Sequence, residues 1–393
     1  MKVLHVEDRF HPGLGHQINN FARLHDPKIE FHILSSDSFY PWKGTDPKEI
    51  FNISDKEFEK KYNVKIHRTD ILFEIHSRVW MKKLKKTILD INPDVIYAHG
   101  IETFSAIRVI LSKLSKKYTT FTDTHTLLGQ SKNKFVGSLF YFLFKRTVVP
   151  VMNKRNIGVF FTADENGMIL KDIYGIRGNN IYSCLIGTDT SKFYFDDIQR
   201  KSLREQYNID ENDIAIIYTG KHNDIKKPHL VLEAVKNLNV SNSKELFLFF
   251  VGSKDTKYFA KHFKENYDYG FKVFYIPEIK NDELYKYYSM ADIAIFPKEN
   301  TLSTLDVQAC KLPVILEDNQ TNRDRIRNSG LLYKKNNLSD LSDKINELIT
   351  NNELRKKLGE NGLVLIEEVY DYKKIISDME NILIKNEIGR AHV

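Results

Sequence analysis

The residues best suited to chemistry lie directly after apolar, β-rich runs. In the second half of the chain, Gly220 and Lys221 follow one such run, and Lys226 comes shortly before a helical pattern. A glycine turn at a helix entrance offers free backbone N–H groups, and lysines add the positive charge that offsets a diphosphate. The segment indicates a diphosphate site, and a solvated basic loop is the alternative interpretation.

A second loop of the same half is polar and leads into a helical pattern that carries an acid. It follows the apolar run that ends at Phe296. Such a loop can present backbone amides to phosphate, and a carboxylate in the following helix can bind a ribose diol. Taken alone, this segment does not identify a ligand. Its residues of interest are Glu299, Asn300, Thr301, Leu302 and Asp306.

The first β-rich run of the chain ends in a loop with two glycines, Gly13 and Gly15, and His16 follows them. Glycines let the backbone approach a ligand closely. A dinucleotide-binding fingerprint would require a third glycine where Ile18 stands, so NAD binding is disfavoured. A ligand-binding loop and a plain turn between strand and helix both remain open.

Two further runs in the first half end in histidine, at Tyr97-Ala-His99 and at Asp123-Thr-His125. A histidine at the carboxyl end of a strand can contact ligand hydroxyls or share a proton near neutral pH. For His99 a functional and a structural role are equally consistent with the pattern, and for Asp123 and His125 a structural role is favoured. The spacing of acids, histidines and cysteines predicts no metal site.

These loops require a scaffold of alternating strands and helices. Strands separated by helix-length segments predict βαβ units and parallel sheets, and a break near residue 190 favours two doubly wound sheets over one. Ligands of such sheets bind beyond the carboxyl ends of the strands, where the candidate residues lie. The predicted strands are 3–6, 30–34, 95–98, 119–121, 158–162, 214–218, 246–251, 272–276, 293–296, 314–316 and 331–333, and residues 339–385 are predicted to be helical.

Composition excludes several classes of protein. The chain has 393 residues, of which 41% are hydrophobic and 28% charged, so it is neither disordered nor collagen-like. Lys+Arg minus Asp+Glu gives +8 for residues 1–190 and −1 for residues 191–393, which sum to the net charge of +7. The two cysteines show no disulfide or zinc spacing, and the N-terminus has no signal-like apolar region, so we predict a cytoplasmic protein.

Taken together, these segments resemble the nucleotide-sugar glycosyltransferases of the GT-B fold, specifically glycosyltransferase family 4. Residues 186–193 are similar to the family's stretch entering the second domain, and Gly220-Lys221 is similar to its usual Gly-Arg. Lys226 corresponds to the lysine that holds the donor diphosphate. Residues 306–314, Asp-Val-Gln-Ala-Cys-Lys-Leu-Pro-Val, resemble the second half of the family signature, with Asp306 in place of the ribose-binding glutamate.

The chain departs from the family signature at one end. The position of the first glutamate, eight residues before Asp306, is Lys298, and Glu299 comes one residue late. The glycines that usually follow are Asn300 and Thr301. Either Glu299 still serves the donor sugar through a shifted loop, or this chain contacts the sugar differently.

The resemblance implies two Rossmann-like domains facing each other across a cleft: an acceptor-binding domain at 1–188 and a nucleotide-sugar-binding domain at 189–370. It implies a helix at 371–386 that packs back on the first domain. Residues 387–393 follow abruptly, and one reverse translation of them reads like sequencing-adapter sequence, so we interpret them as a read-through artefact.

The resemblance also implies roles for individual residues. The catalytic residues implied are His99, Lys221, Lys226 and Glu299. The donor-binding residues are Gly13, Gly15, Lys221, Lys226, Asn300, Thr301, Leu302 and Asp306, and the acceptor-side candidates are His16, Asp123 and His125.

The implied function is a retaining, metal-independent transfer from a nucleoside-diphosphate sugar to a glycan or lipid-linked acceptor in bacterial surface polysaccharide biosynthesis, with no separate cofactor. The alternatives are a sugar-nucleotide epimerase of the same fold and a decayed, basic membrane-surface binding protein. Nucleic-acid binding is disfavoured because no RNA-binding aromatic motif accompanies the basic clusters.

An aromatic-rich apolar run, Phe135 to Phe144, is bracketed by cations at Lys132, Lys134, Lys145 and Arg146. It is about half as long as the ~20 residues that a spanning helix requires. Interfacial segments combine such an apolar face with Lys and Arg, so we predict docking on the inner face of the plasma membrane through an anionic lipid surface. A buried helix with solvated ends is the alternative.

Overall fold

The computed structural model describes residues 1–13, 17–38, 47–75, 78–125, 134–238, 245–264, 267–298 and 301–391. The chain forms two compact units, one from Met1–Ile186 together with Ile375–Val393, the other from Gly187–Lys374. Among the described helices, none combines the length and the apolar character needed to cross a bilayer.

The first unit is built on a seven-stranded parallel sheet with the order β3-β2-β1-β6-β7-β8-β9, and β4 and β5 form a separate antiparallel hairpin. The strands are β1 Lys2–Glu7, β2 Glu30–Ser36, β3 Val64–Thr69, β4 Ile71–Ile75, β5 Arg78–Met81, β6 Val95–Ala98, β7 Thr119–Thr124, β8 Gly158–Phe161 and β9 Ile181–Ser183. The helices are α1 Gln17–Leu24, α2 Pro47–Tyr62, α3 Leu84–Ile91, α4 Phe104–Leu111, α5 Leu114–Lys117, α6 Lys134–Arg155 and α7 Asp164–Met168, with a π-helix at Ile169–Tyr174 and a 3₁₀ turn at Gly178–Asn180.

The second unit contains a six-stranded parallel sheet with the order β12-β11-β10-β13-β14-β15. The strands are β10 Ile214–Thr219, β11 Leu246–Val251, β12 Lys272–Ile276, β13 Ile293–Phe296, β14 Val314–Glu317 and β15 Gly330–Tyr333. The helices are α8 Asp197–Gln206, α9 His229–Lys236, α10 Thr256–His262, α11 Leu284–Met290, α12 Ser303–Ala309, α13 Gln320–Ile326, α14 Leu338–Thr350 and α15 Asn352–Leu365, with a 3₁₀ turn at Asn281–Glu283 and a π-helix at Ile366–Tyr370. The last helix, α16 Tyr372–Ala391, runs into the residues grouped with the first unit.

Hydrophobic burial explains why the central strands form where they do. Every residue of β10 and β11 is buried, because helices cover both faces of a parallel sheet. Such strands read as continuous apolar runs, and all eleven predicted runs are strands in the structure. The prediction of two parallel, doubly wound sheets is therefore confirmed.

Each sheet has one point at which the chain reverses the direction in which it adds strands. In the first unit this point lies between β1 and β6, and in the second unit between β10 and β13. The loops that leave neighbouring strands there diverge to opposite faces and open a crevice, which is where open α/β sheets bind ligands. His99 follows β6, and Lys221 follows β10, so both predicted sites fall at these reversal points.

Candidate functional site

The path of the chain out of β10 is fixed by two glycines at the ends of neighbouring strands. Gly220 has a φ of 138° and donates its N–H to the carbonyl of Val251 at 2.9 Å. Gly252 has a φ of 141°, and a Cβ there would lie 2.2 Å from the carbonyl oxygen of Gly220. Only glycine satisfies both the conformation and the close approach, so the backbone that leads into Lys221 is held in one place.

An Asx turn then brings Lys226 to the entrance of α9. The side chain of Asn223 accepts from the N–H of Ile225 at 3.2 Å and from that of Lys226 at 2.9 Å. Lys227 has a positive φ of 47°, and Pro228 precedes the helix. Lys221 is exposed and Lys226 partly buried. Two ammonium groups thus lie on one short loop at the carboxyl edge of the sheet.

His222, which follows Lys221 in this loop, is buried in the second unit, and sequence analysis did not single it out. Its ring is 1% exposed and lies among aromatic rings that include Tyr218 and Phe259. Burial, and then the charge of Lys254, lowers the pKa of His222 to about 4. The ring is therefore neutral near pH 7 and packs among these aromatic rings as an apolar group.

Asp306 lies in the first turn of α12, next to the loop that follows β13. The hydroxyl of Thr188 donates to its Oδ1 at 2.6 Å. Burial raises the pKa of Asp306 to about 7, and the charge of Asp189 acts in the same direction, whereas the Thr188 hydrogen bond and Lys192 oppose the shift. A carboxyl group that titrates near neutral pH is thereby placed beside the reversal point of the second sheet.

Lys298, the residue at the position of the family's first glutamate, is tied into the protein. Its ammonium group forms an ion pair with Glu317 and donates to the side chain of Asn336 at 2.6 Å. The side chains of Lys298 and Glu317 are only 14% and 10% exposed. The charge of Lys298 is therefore balanced by Glu317 within the second unit. Lys298 thus adds no unpaired positive charge in support of the alternative of a decayed, basic binding protein.

The loop beyond Lys298 is described only in part. Glu299 and Asn300 lie outside the described residues. The carbonyl of Thr301 accepts from the guanidinium of Arg325 at 2.8 Å, and Leu302 is 43% exposed. Arg325 therefore fixes the end of the loop from which α12 and Asp306 continue.

In the first unit, His99 and Asp123 form a buried pair at the ends of β6 and β7. His99 Nδ1 lies 2.6 Å from Asp123 Oδ2, and His99 Nε2 lies 3.0 Å from Nδ1 of His5. The other carboxylate oxygen of Asp123 accepts from the N–H of Gly100 at 2.6 Å. Both ring nitrogens of His99 are thus engaged by protein groups.

The charges of this cluster can be assigned. Burial lowers the pKa of His99, but the Asp123 carboxylate outweighs it and leaves that pKa above its ordinary value. Burial disfavours the charged Asp123, yet His99 holds the pKa of Asp123 well below its usual range. Burial and the neighbouring His99 keep the pKa of His5 well below normal. The Asp123 contact therefore favours the protonated form of His99, and burial favours the neutral form of His5.

Of the remaining predicted residues of the first unit, His125 lies next to this pair. The side chain of His125 is 47% exposed, and its Nε2 is 3.8 Å from Asp123 Oδ1. The N–H of Gly13 donates to the ring of His11 at 3.0 Å. Gly15 and His16 lie outside the described residues. Sequence analysis also missed Glu7, at the end of β1, where burial raises the carboxyl pKa to about 7.

Comparison with known proteins identifies the second unit. Residues 199–364 match the family described as glycosyl transferases group 1. These residues form a group 1 glycosyl transferase domain. The domain contains both Lys221 and Lys226, as well as the segment from Lys298 to Asp306.

One curated relative and two solved structures are also similar to this chain. The Bacillus subtilis spore coat protein SA is 20% identical over 203 residues, which are 48% of this chain and 52% of that protein, so the match spans about half the length of the relative. A glycosyltransferase from Rickettsia africae superposes with a TM-score of 0.70 at 16% identity, covering 98% of both chains. Anabaena HepE in complex with UDP superposes with a TM-score of 0.69 at 14% identity, covering 98% of this chain and all of that one.

The comparisons confirm the predicted GT-B fold and the resemblance to glycosyltransferases. Membership of family 4 in particular stays a prediction. So do the individual site residues of the glycosyl transferase domain and of the first unit.

Proposed function

We propose that the chain transfers a glycosyl group from a nucleoside-diphosphate sugar to an acceptor hydroxyl. One observation carries the proposal: within a group 1 glycosyl transferase domain, the loop of Lys221 and Lys226 and the segment leading to Asp306 leave the two strands at the reversal point of the sheet. This edge of an open α/β sheet binds ligands. Since Anabaena HepE was solved with UDP, UDP-sugars are the first donors to test.

The lysines stabilise the charge that develops on the leaving group. As the bond between the anomeric carbon and the diphosphate oxygen breaks, negative charge grows on that oxygen, and Lys221 and Lys226 neutralise it. Preorganised charges of this kind are worth most in the transition state, and a metal ion is not required for the role. The acceptor hydroxyl attacks from the face that the leaving group vacates, and its proton passes to the departing phosphate oxygen, so the anomeric configuration is retained.

Asp306 supports donor binding from the other loop. A carboxyl group there can accept hydrogen bonds from both hydroxyls of a ribose diol, one at each oxygen, only when it is ionised. With its pKa near 7, Asp306 binds the ribose more strongly as the pH rises above neutrality. Glu299 as the sugar contact belongs to the same proposal. His99, whose ring nitrogens face Asp123 and His5, would support the sugar side by holding the ends of β6 and β7 in place.

The acceptor side is proposed from an exposed apolar surface of the first unit, the α6 surface, formed by Leu139, Phe142 and Leu143, which are 53%, 53% and 51% exposed. The guanidinium of Arg146 lies 4.8 Å from the Phe142 ring. The hairpin β4–β5 adds Leu72 and Ile75, at 60% and 52% exposed.

Helix and hairpin are contiguous, because the Arg78 guanidinium of β5 lies 4.8 Å from the ring of Phe140. Apolar side chains beside cations suit the boundary of an anionic leaflet. We therefore propose that the protein docks on the cytoplasmic face of a membrane to reach a lipid-linked or polymeric glycan in bacterial surface polysaccharide assembly.

A donor screen tests the proposed function. UDP-, GDP- and ADP-sugars are compared by thermal shift, where a ligand at about 100 times its Kd stabilises the fold by about 2.7 kcal/mol. The stabilising donor is then incubated with acceptor in EDTA, and the products are analysed by chromatography. Transfer with retained configuration is expected. Release of an epimerised sugar would indicate the epimerase instead, and an obligatory need for Mg²⁺ or Mn²⁺ would contradict the metal-free mechanism.

A further inference from the structure

A separate group of potential metal ligands lies on helices α9 and α10. His229 is the first residue of α9, Glu233 lies one turn later on the same face, and His262 is the last residue of α10. One ring nitrogen from each histidine and one oxygen of Glu233 all lie within 4.8 Å of one another. The two imidazole rings stack with centroids 3.9 Å apart and an interplanar angle of 22°.

Tyr258 contacts the ring of His229 at Nδ1. Its hydroxyl lies 2.5 Å from Nδ1 of His229 and also accepts from the backbone N–H of the same residue at 3.4 Å. Nδ1 is thereby engaged, and Nε2 is left as the nitrogen for a further ligand. Histidines that bind metals almost always have their second nitrogen held by such an outer partner, which fixes the ring orientation.

The chemical types of the three side chains also suit a metal. Two imidazoles and one carboxylate form the mixed nitrogen and oxygen set typical of zinc sites in which one position is left to water.

We propose that His229, Glu233 and His262 bind one transition-metal ion of the zinc class. The ion ties α9 to α10, with water in its remaining position. Because α9 begins directly after the loop of Lys226, the ion braces the entrance of that helix and leaves the sugar chemistry to other groups. This proposal is independent of glycosyl transfer.

The test uses the full chain stripped of metal with a chelator and desalted. Zn²⁺ is titrated by calorimetry at pH 7.5, and Co²⁺ is titrated by visible absorption, which reports tetrahedral nitrogen and oxygen ligation. We expect one ion per chain and a melting temperature that rises with Zn²⁺. His262→Asn and Glu233→Gln should each lower the affinity at least about tenfold, and Tyr258→Phe should lower it by a factor of about 10 to 100.

Lys261→Gln is the matched control, because it changes a neighbouring side chain of α10 and leaves all three ligands in place. Its affinity should equal or exceed that of the unaltered chain. Absence of saturable binding, or equal affinity in the His262→Asn and Glu233→Gln double variant, would overturn the proposal. Melting curves without metal establish that each variant is folded, and no step of the test requires a donor or an acceptor.

Discussion

The hydroxyl of Thr188 donates a 2.6 Å hydrogen bond to Asp306, a carboxyl group whose pKa burial raises to about 7. This contact ties the first residues of the second unit to the start of α12. It favours the ionised carboxylate, so Thr188 counters part of the effect of burial. Asp306 is therefore a group whose charge changes near neutral pH.

Donor affinity should depend on pH through Asp306. The proposed ribose contact is stronger with the ionised carboxylate, so the Kd for the nucleotide should fall as the pH rises from 6 to 8, across the pKa of about 7. Asp306→Asn should bind more weakly at pH 8 and lose most of this dependence. Thr188→Val, which removes a hydrogen bond to the ionised form, should move the transition to higher pH. Calorimetric titration at several pH values measures the nucleotide Kd of the unaltered chain and of both variants. A pH dependence of the Kd that is unchanged in Asp306→Asn would contradict the assignment.

The His99–Asp123 pair should stabilise the first unit. Asp123→Asn removes the carboxylate charge that lies 2.6 Å from the buried His99 ring, and breaking a buried ion pair costs about 3–5 kcal/mol. Because the pKa of Asp123 is lowered in the folded state, its contribution is present above the unfolded pKa and is lost as the pH falls through the folded one. That of His99, whose pKa is raised, is lost as the pH rises through its folded value. Denaturant unfolding at several pH values measures both, and a change below about 1 kcal/mol would count against the ion pair.

Gly252→Ala should disturb the loop of Lys221 and Lys226 without changing a charged residue. The added Cβ meets the carbonyl oxygen of Gly220 at 2.2 Å, and the φ of 141° is strained for any other residue. We expect a loss of about 1–3 kcal/mol in unfolding free energy from backbone strain, and weaker donor binding. Gly178→Ala, with nothing within 4 Å of the added Cβ, is the control and should be near neutral. Equal stability of the two variants would show that the close approach is unimportant.

Membrane docking should depend on the cations of α6. Lys145→Glu with Arg146→Glu reverses two charges beside the exposed Phe142 and Leu143, and each cation near an anionic leaflet contributes about 1 kcal/mol. Flotation with anionic liposomes at low salt should lose most of the bound protein. The control, Lys85→Glu with Lys86→Glu on α3, makes the same change in net charge and should float normally. Binding that is absent in the unaltered chain, or insensitive to the α6 change, would contradict the docking surface.

The sequence predicted what long apolar runs can reveal. β10 reads Ile-Ala-Ile-Ile-Tyr-Thr and is buried throughout, so its place in a central parallel strand was evident. β3 reads Val-Lys-Ile-His-Arg-Thr at the edge of its sheet, where Lys65 is exposed and Arg68 pairs with Asp55, so it is not a continuous apolar run and it was missed. β9 was missed because it is an edge strand of three residues, and the hairpin of β4 and β5 because it lies outside both sheets.

Candidate site residues could be grouped from the sequence wherever one loop holds them, and their roles stay a prediction. Lys221 and Lys226 share a short segment, and a glycine turn before a helix is a local signal. The pairing of His99 with His5, by contrast, joins residues 94 positions apart through strand register. The burial that shifts the pKa of Asp306, and the Glu317 that neutralises Lys298, likewise arise from tertiary packing and leave no pattern in the sequence.

The most direct test of the account is the turnover of Lys226→Ala with a nucleoside-diphosphate sugar that stabilises the unaltered protein. Removing one preorganised group that faces developing charge costs about 2.7–4 kcal/mol, so kcat/KM should fall by a factor of roughly 100 or more. Lys357→Ala on α15, an exposed lysine with the same change in net charge, should leave kcat/KM unchanged. A loss of less than about threefold in folded Lys226→Ala would contradict the claim that this loop neutralises the leaving diphosphate.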